Sequence, residues 1–416
     1  FMFSKKQIVI TSLLFALIFH FVFYFNSYGP GIGFLNNNFQ YIIALASLIL
    51  ILFVYFGTYW RLDFEDKASL RLYDLFIVWM LICFTRSLIE FRSSKEFLNF
   101  IANNYMGISL FPVLFLTAGI SPKYFHTINK LLFVYIVLVT LVAIFFLDYF
   151  ELLIFLLYPI FYVIVTIPLR TGWQKLFILL VSVLIVVFSM TNRAGVLRIL
   201  IGFSIVIAYY VIKYAKMNKA LLNVIVFCVL LIPFGSLYLG IKGQSVFQMM
   251  SGDDERSYSQ LDPYADTRTF LYYEVFLDLK HNDAFLLGKG LNAGYMSESF
   301  ETYSRPVVEV AFLQILLKTG IVGCLLYMSV IISAIFKALS SSRNVFLKTL
   351  GLLLASYMVM FFIENQIAYN LLNVVIWIVI GMCHSKALRE LTDQEVYDLF
   401  RKTNTVEYKL SASKGL

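Results

Sequence analysis

The chain has 416 residues, of which 60% are hydrophobic and 14% are charged, and its mean hydropathy is +0.82. Soluble domains are close to half apolar, so this composition indicates an integral membrane protein. The net charge of +8 does not indicate a nucleic-acid partner, because the basic residues punctuate the chain between apolar blocks and do not form one patch. The four cysteines lie inside apolar runs, which predicts neither disulfides nor a metal site.

Twelve apolar runs approach the roughly 20 residues that a helix needs to cross the hydrocarbon of a bilayer. The first run is long for a signal peptide and lacks a cleavage site, so we interpret it as a retained helix. We predict an all-α, polytopic membrane protein with helices 1–9 in residues 1–239, helices 10–12 in 307–384 and a cytoplasmic tail at 385–416. The predicted spans are 7–25, 39–58, 73–90, 102–119, 130–147, 150–168, 173–190, 195–212, 220–239, 307–335, 346–364 and 367–384.

The basic residues of the short connections predict the orientation, because Lys and Arg resist translocation across the membrane. With the N-terminus in the cytoplasm, the short outer connections hold five Lys or Arg residues, and the cytoplasmic connections hold fifteen. The tail adds six more, so we predict that both termini are cytoplasmic. The fifteen residues are Lys5, Lys6, Arg61, Lys67, Arg71, Lys123, Lys130, Arg170, Lys175, Lys213, Lys216, Lys219, Lys337, Arg343 and Lys348.

Residues 240–306 form a large outer loop that has no apolar run long enough to span the membrane. Within the loop we predict a helix that starts near Pro263, Asp266 or Thr267, ends at Lys280 and packs against the bundle. The sequence Gly288-Lys-Gly290 follows this helix instead of a strand, which indicates a loop and not a nucleotide-binding fingerprint. The loop tyrosines suit stacking on sugar rings and equally suit a membrane-interface belt; they include Tyr258, Tyr264, Tyr272, Tyr273, Tyr295 and Tyr303.

Three arginines need a physical reason, because an arginine at the centre of a membrane helix costs about 2.5–3.5 kcal/mol. Arg193 and Arg198 lie where spans 7 and 8 meet, and they either snorkel to headgroups or bind an anion. Arg268 opens the loop helix, where a cation opposes the helix dipole unless an anion is near. An ion pair with Asp262 or Asp266 is the alternative. A helix N-terminus with two guanidinium groups would form a diphosphate receptor.

Four further polar residues are candidates on the same outer face. Glu309 opens span 10 and could act as a general base, or pair with Arg305, or cap the helix. Lys318 lies about nine residues inside the same span, so it either faces a cavity or shows that the predicted boundary is wrong. Glu364 either lines the same vestibule or lies at the outer surface, and Lys289 could contact an anionic ligand.

Three elements resemble the bacterial O-antigen polymerase and ligase superfamily. They are Thr191-Asn-Arg193-Ala-Gly195, then Arg268 followed by the Gly288-Lys-Gly290 turn, and then a span that opens at Glu309 and contains Gly320 and Gly323. By layout, the resemblance covers most of the chain. It implies a GT-C-like membrane fold in the bacterial inner membrane and a glycosyltransferase that uses undecaprenyl-diphosphate-linked glycans without metal or cofactor.

The resemblance also implies roles for single residues. Arg193 and Arg268 match arginines that hold the diphosphate, and Glu309 stands where the ligases begin a His-Asn pair, so this chain is closer to a polymerase that joins repeat units. The predicted substrate-binding residues are Arg198, Tyr272, Lys289 and Arg305.

Two other functions remain open at this point. One is an O-antigen ligase that transfers glycan to lipid A core, and the other is a flippase or transporter of lipid-linked glycan. The expected partners are the lipid-linked glycan donor and acceptor, membrane lipid, and flippase and chain-length regulator proteins, without nucleic acid.

Overall fold

The structure is a computed structural model, and it describes residues 5–28, 46, 49–50, 52, 67–91, 93–102, 107–145, 153, 156–188, 193–215, 217–241, 269–297, 304–365 and 367–401. Within these ranges, four helices are long and apolar enough to cross a membrane, and six shorter helices are also apolar. The protein is therefore a mostly helical membrane protein, as its composition indicates.

The first part of the chain forms apolar helices that largely follow the predicted spans. The predicted span 39–58 lies almost wholly outside the described residues. The helices are α1 (Lys5–Tyr28), α2 (Lys67–Ile89), α3 (Ser94–Ala102), α4 (Leu116–Ile120), α5 (Phe125–Phe145), α6 (Leu157–Val165), α7 (Gly172–Phe188), α8 (Arg193–Ala215) and α9 (Lys219–Ile241), with 3-10 turns at Gly107–Phe115, Pro122–Tyr124 and Ile167–Leu169.

The second part contains the described portion of the loop and the last helices of the bundle. The predicted loop helix is present as α10, although its predicted start at 263–267 lies outside the described residues. This part also contains two short strands that pair antiparallel, with Tyr295 opposite Arg305. The elements are α10 (Thr269–His281), β1 (Tyr295–Met296), β2 (Ser304–Arg305), α11 (Ala311–Ser341), α12 (Val345–Met360), α13 (Leu371–His384), α14 (Lys386–Arg389) and α15 (Asp393–Arg401).

The prediction of one regular helix at 102–119 is wrong. The segment is a 3-10 helix around Pro112 followed by the short helix α4, all of whose residues are buried. Proline has no amide hydrogen and cannot continue an α-helical ladder, which explains the irregular start. A β-carbon at Gly381 of α13 would overlap the carbonyl of Leu116 and lie 3.0 Å from the α-carbon of Gly119. Two glycines therefore let the backbones of α4 and α13 touch.

The two ends of the bundle are distinguished by the segments that pack on them. We name the end that contacts residues 269–297 and 304–310 the loop side, and the end that contacts residues 385–401 the tail side. Helix α11 runs from the loop side to the tail side, because Arg343, just beyond its end, donates its backbone N–H to the carbonyl of Arg389 (2.9 Å).

Residues 385–401, the first part of the predicted cytoplasmic tail, pack against the bundle. They form α14 and α15, and the ring of Phe400 is buried against the bundle. His126 Nδ1 donates to the carbonyl of Phe400 (2.7 Å), whose ring lies 5.3 Å from the guanidinium carbon of Arg170 and 5.9 Å from the ring of Phe125. Burial lowers the pKa of Arg170 to about 10, so the guanidinium stays charged at neutral pH.

Candidate functional site at the loop side

Three helices and the loop meet where α11 begins. The backbone N–H of Ala311 donates to the carbonyl of Glu364 (3.0 Å), just beyond the end of α12. The hydroxyl of Tyr272 on α10 donates to the carbonyl of Phe362 (2.6 Å). Arg198 of α8 reaches the same segment through its side chain. We name this meeting point of α8, α10, α11 and α12 the loop-side junction.

A buried ion pair lies at the centre of the loop-side junction. Arg198 Nη2 donates to Glu364 Oε1, and the two side chains are 5% and 12% exposed. The guanidinium carbon of Arg198 lies 5.3 Å from the ring centre of Tyr158. Arg198 therefore does not snorkel to headgroups, and Glu364 is not a residue of the outer surface, so both of these alternatives are wrong. Each charge offsets the desolvation of the other, which is how two ionised side chains tolerate burial.

The two arginines predicted to hold the diphosphate are less fully described. Arg193 is the first residue of α8, but its side chain lies outside the described residues, as does the whole of Arg268. Arg193 precedes Arg198 by five positions in α8, a rise of roughly 7.5 Å, so the backbone of Arg193 lies farther towards the loop side. The roles of Arg193 and Arg268 remain predictions.

Glu309 lies immediately before α11, and its side chain is 50% exposed. Arg305 Nη2 donates to Glu309 Oε1 at 3.4 Å, so the pairing that the sequence left open is present. The N-cap of α11 is Val310, which has no side-chain cap bond, and so Glu309 does not cap the helix. Instead Gln314 Oε1 accepts the backbone N–H of Val308 (2.7 Å). The carboxylate of Glu309 is therefore open to solvent and flanked by a cation.

Lys289 is tied to α10, with Nζ donating to Asp278 Oδ2 (2.7 Å) and to the carbonyl of Gly294 (3.0 Å). Its charge is thus balanced by a carboxylate of the same loop, and a structural role is sufficient to explain it. The same holds for Tyr272, which is buried and bonded to the backbone. His281 is exposed at the end of α10.

Helix α11 is interrupted at Gly320, which has φ 70° and ψ −176°. Loop residues 285–290 lie against the break and pair with its backbone. Four backbone bonds make this contact. The N–H groups of Lys289 and Gly290 donate to the carbonyls of Leu317 (2.8 Å) and Lys318 (3.2 Å), and those of Ile321 and Val322 donate to the carbonyls of Phe285 (2.9 Å) and Leu286 (3.5 Å). The loop thus replaces part of the hydrogen-bonding ladder that the break removes, as backbone at membrane depth requires.

The Gly288-Lys-Gly290 segment is confirmed as a loop, and its glycines are explained by this contact. Gly288 and Gly290 have φ of 70° and 98°, and a β-carbon on Gly288 would lie 2.6 Å from the carbonyl oxygen of Lys318. Arg86 at the end of α2 donates to the carbonyls of Leu287 (2.8 Å) and Gly288 (3.1 Å). The contact of Gly320 is therefore with the loop and not with another helix.

Lys318 faces inward, as one of the two alternatives predicted. It is 3% exposed, and its Nζ donates to the carbonyls of Leu291 (2.7 Å) and Ala293 (3.3 Å). Gln314 lies one turn earlier on the same face and was missed at the sequence level, as was Arg86. The signal for Gln314 was available, because two polar residues four apart in an apolar helix share one face.

The described residues contain no group of three His, Cys, Asp or Glu side chains that could hold a metal ion. The described side chains that meet at the loop-side junction include the guanidinium of Arg198, the carboxylate of Glu364 and the hydroxyl of Tyr272. A comparison of the chain with protein-family models, curated proteins and solved structures found no match.

Proposed function

We propose that the protein is a metal-independent, GT-C-like glycosyltransferase of the bacterial inner membrane that polymerises undecaprenyl-diphosphate-linked oligosaccharide units, as in O-antigen synthesis. The proposal includes the finer topology of twelve spans, cytoplasmic termini and a periplasmic loop. The substrates are the lipid-linked glycan donor and acceptor, and flippase and chain-length regulator proteins are the expected partners.

The buried pair of Arg198 and Glu364 is the observation that carries the proposal. It ties the first turns of α8, which begins at Arg193, to the backbone segment that bonds the start of α11. Glu309 stands just before that start, so the described contacts bring together the start of α8 and the segment that carries Glu309, which are more than a hundred residues apart in sequence. The helix α10, which follows Arg268 directly, docks on the same segment through Tyr272.

The chemistry needs three functions from this junction. A hydroxyl of the acceptor glycan attacks the anomeric carbon of the donor, the bond from that carbon to the diphosphate oxygen breaks, and undecaprenyl diphosphate leaves with the electron pair. Glu309 accepts the proton of the attacking hydroxyl. Arg193 and Arg268 stabilise the negative charge that develops on the leaving diphosphate. Arg198 is already neutralised by Glu364, so its role is to position α8.

Purified protein in lipid nanodiscs, supplied with a lipid-linked repeat unit, tests the proposal. Wild type is expected to form a ladder of longer lipid-linked products. Arg193→Ala and Arg268→Ala are each expected to lower the rate about 100-fold or more, the scale of removing one donor to a developing anion. Arg71→Ala is the matched control, because Arg71 is exposed on α2 in a predicted cytoplasmic connection, and its rate is expected to equal that of wild type. Folded Arg193→Ala and Arg268→Ala proteins with the wild-type rate would refute the site.

Glu309→Gln tests the base separately. The amide keeps the size of the side chain but cannot accept the proton, so kcat is expected to fall with KM for the donor little changed. An unchanged kcat would remove Glu309 from the mechanism and leave the diphosphate site intact.

One observation favours a second class of function. Discontinuous helices such as α11 are typical of transporters, which bind substrates or ions at the unwound backbone. Here, however, the carbonyls of Leu317, Lys318 and Thr319 at the break accept hydrogen bonds from the loop and from Trp79. A flippase or transporter moves lipid-linked glycan without covalent change, and a ligase requires lipid A core as acceptor, so analysis of the products distinguishes all three.

A further inference from the structure

A small, partly open cavity lies beneath loop residue Leu291 and between α2, α11 and α13. Its volume is about 30 Å³. Its polar lining comes from Gln314, Lys318, Tyr327 and Asn373, among others. All four side chains belong to buried residues, so the cavity combines polar walls with a site inside the bundle.

Gln314 is the residue that singles out this cavity. It is fully buried, and its Oε1 accepts the N–H of Val308, which assigns the orientation of the amide. Its Nε2 has no hydrogen-bond partner among the described residues. A buried amide donor without an acceptor is costly, so such groups in native proteins usually bond to a protein acceptor or to ordered water. The cavity that Gln314 lines is the space where that acceptor would be bound.

Tyr327 offers an acceptor to the same space. The hydroxyl of Tyr357 donates to Asn373 Oδ1 (2.9 Å), and Asn373 Nδ2 donates to the carbonyl of Ala368 (2.7 Å). Because Tyr357 has a single hydroxyl proton, the 2.8 Å contact between the two tyrosine hydroxyls is donated by Tyr327. The oxygen of Tyr327 therefore keeps lone pairs that can accept a hydrogen bond.

We propose that this cavity is a hydration site that holds one or two ordered water molecules, bound between Gln314 Nε2 and Tyr327 Oη. A bound water needs roughly 10–15 Å³ of such volume and two to four polar partners, and the cavity meets both conditions. Because Gln314 also holds Val308, the water fixes the backbone that leads into α11. The inference does not depend on the proposed glycosyltransferase activity.

Radiolytic hydroxyl-radical labelling of the full-length protein in nanodiscs, read by mass spectrometry, tests the site. Radicals formed from bound water oxidise the side chains next to it even when these are buried. Met80 and Tyr327 line the cavity and are 5% and 3% exposed. Met382 and Tyr162 are also buried, at 1% and 2% exposure, but they contact each other and do not line the cavity. Met80 and Tyr327 are expected to be oxidised at least about five times faster than the two control residues if water occupies the cavity. Equal rates would overturn the proposal.

Gln314→Leu removes the donor and fills part of the space. Oxidation of Met80 and Tyr327 is expected to fall to the level of the control residues, and unchanged oxidation would overturn the assignment of the water to Gln314. If this variant does not fold, a high-resolution density map of the wild-type protein shows whether water occupies the cavity. A peak within hydrogen-bond distance of Gln314 Nε2 and Tyr327 Oη supports the site, and an empty cavity in a map that shows other buried waters refutes it.

Discussion

Replacing Gly320 by alanine tests whether the break in α11 depends on a backbone conformation that glycine alone adopts. The φ of 70° with ψ of −176° lies in a region that other residues essentially do not occupy. A β-carbon at this position would also overlap the carbonyl of Leu286, in the loop segment that lies against the break. The substitution therefore strains the backbone and displaces the loop together.

The magnitude follows from these two effects. Backbone strain of this kind costs on the order of 1–3 kcal/mol. Four backbone hydrogen bonds join residues 285–290 to α11 around the break, each worth about 0.5–1.5 kcal/mol net, and displacement of the loop weakens at least one of them. We expect Gly320→Ala to lower the free energy of unfolding by about 3 kcal/mol.

Thermal unfolding in detergent, followed with a thiol-reactive fluorophore, measures this change in variants that also carry Cys228→Ser. Cys228 is exposed and would react in the folded protein, whereas Cys83, Cys324 and Cys383 are buried and react only on unfolding. Gly235→Ala is the matched control. Gly235 lies in α9, and a β-carbon there meets nothing within 4 Å, so alanine is expected to leave the midpoint unchanged or raise it slightly. Equal midpoints for Gly320→Ala and Gly235→Ala would refute the reasoning.

Three further substitutions probe other contacts by the same unfolding assay. Arg198→Leu leaves the buried carboxylate of Glu364 without its arginine and is expected to lower the free energy of unfolding by about 3–5 kcal/mol. Adding Glu364→Leu is expected to restore most of the lost stability. A double variant no more stable than Arg198→Leu alone would contradict the role of the ion pair. Gly381→Ala pushes α13 away from the backbone of α4 and is expected to lower the midpoint, and an unchanged midpoint would show that the two backbones do not touch. Phe400→Ala removes a buried ring from the contact with Arg170 and is expected to lower the free energy of unfolding by about 3 kcal/mol. It is also expected to expose residues 385–401 to trypsin. Unchanged protection from trypsin would show that the ring of Phe400 does not hold α15 against the bundle.

The sequence was sufficient for the class of the protein and for most of its helices. Apolar runs of membrane length predicted helices that the structure contains, including α2, α8 and α9. Local turn chemistry also predicted the loop at Gly288-Lys-Gly290 and the helix α10 before it. These features depend on residues close together in the chain, so they can be predicted without knowing which distant segments pack against them.

The candidate site was only partly predictable. An arginine near the end of a membrane span signalled Arg198, but the sequence could not show whether headgroups or a carboxylate would receive its charge. The partner, Glu364, lies 166 residues away. The sequence shows that Gln314 is a polar residue in an apolar helix. It could not show the cavity beside Gln314, because that cavity is formed by several segments distant in the chain.

By itself, the sequence determined that this is a helical membrane protein, because hydrophobic length and backbone hydrogen bonding leave few other structures for such a chain in lipid. Tertiary structure decided that α11 is interrupted at Gly320. A glycine in an apolar run is compatible with a continuous helix, and only the approach of residues 285–290, which supply hydrogen bonds to the backbone, makes the interrupted form stable.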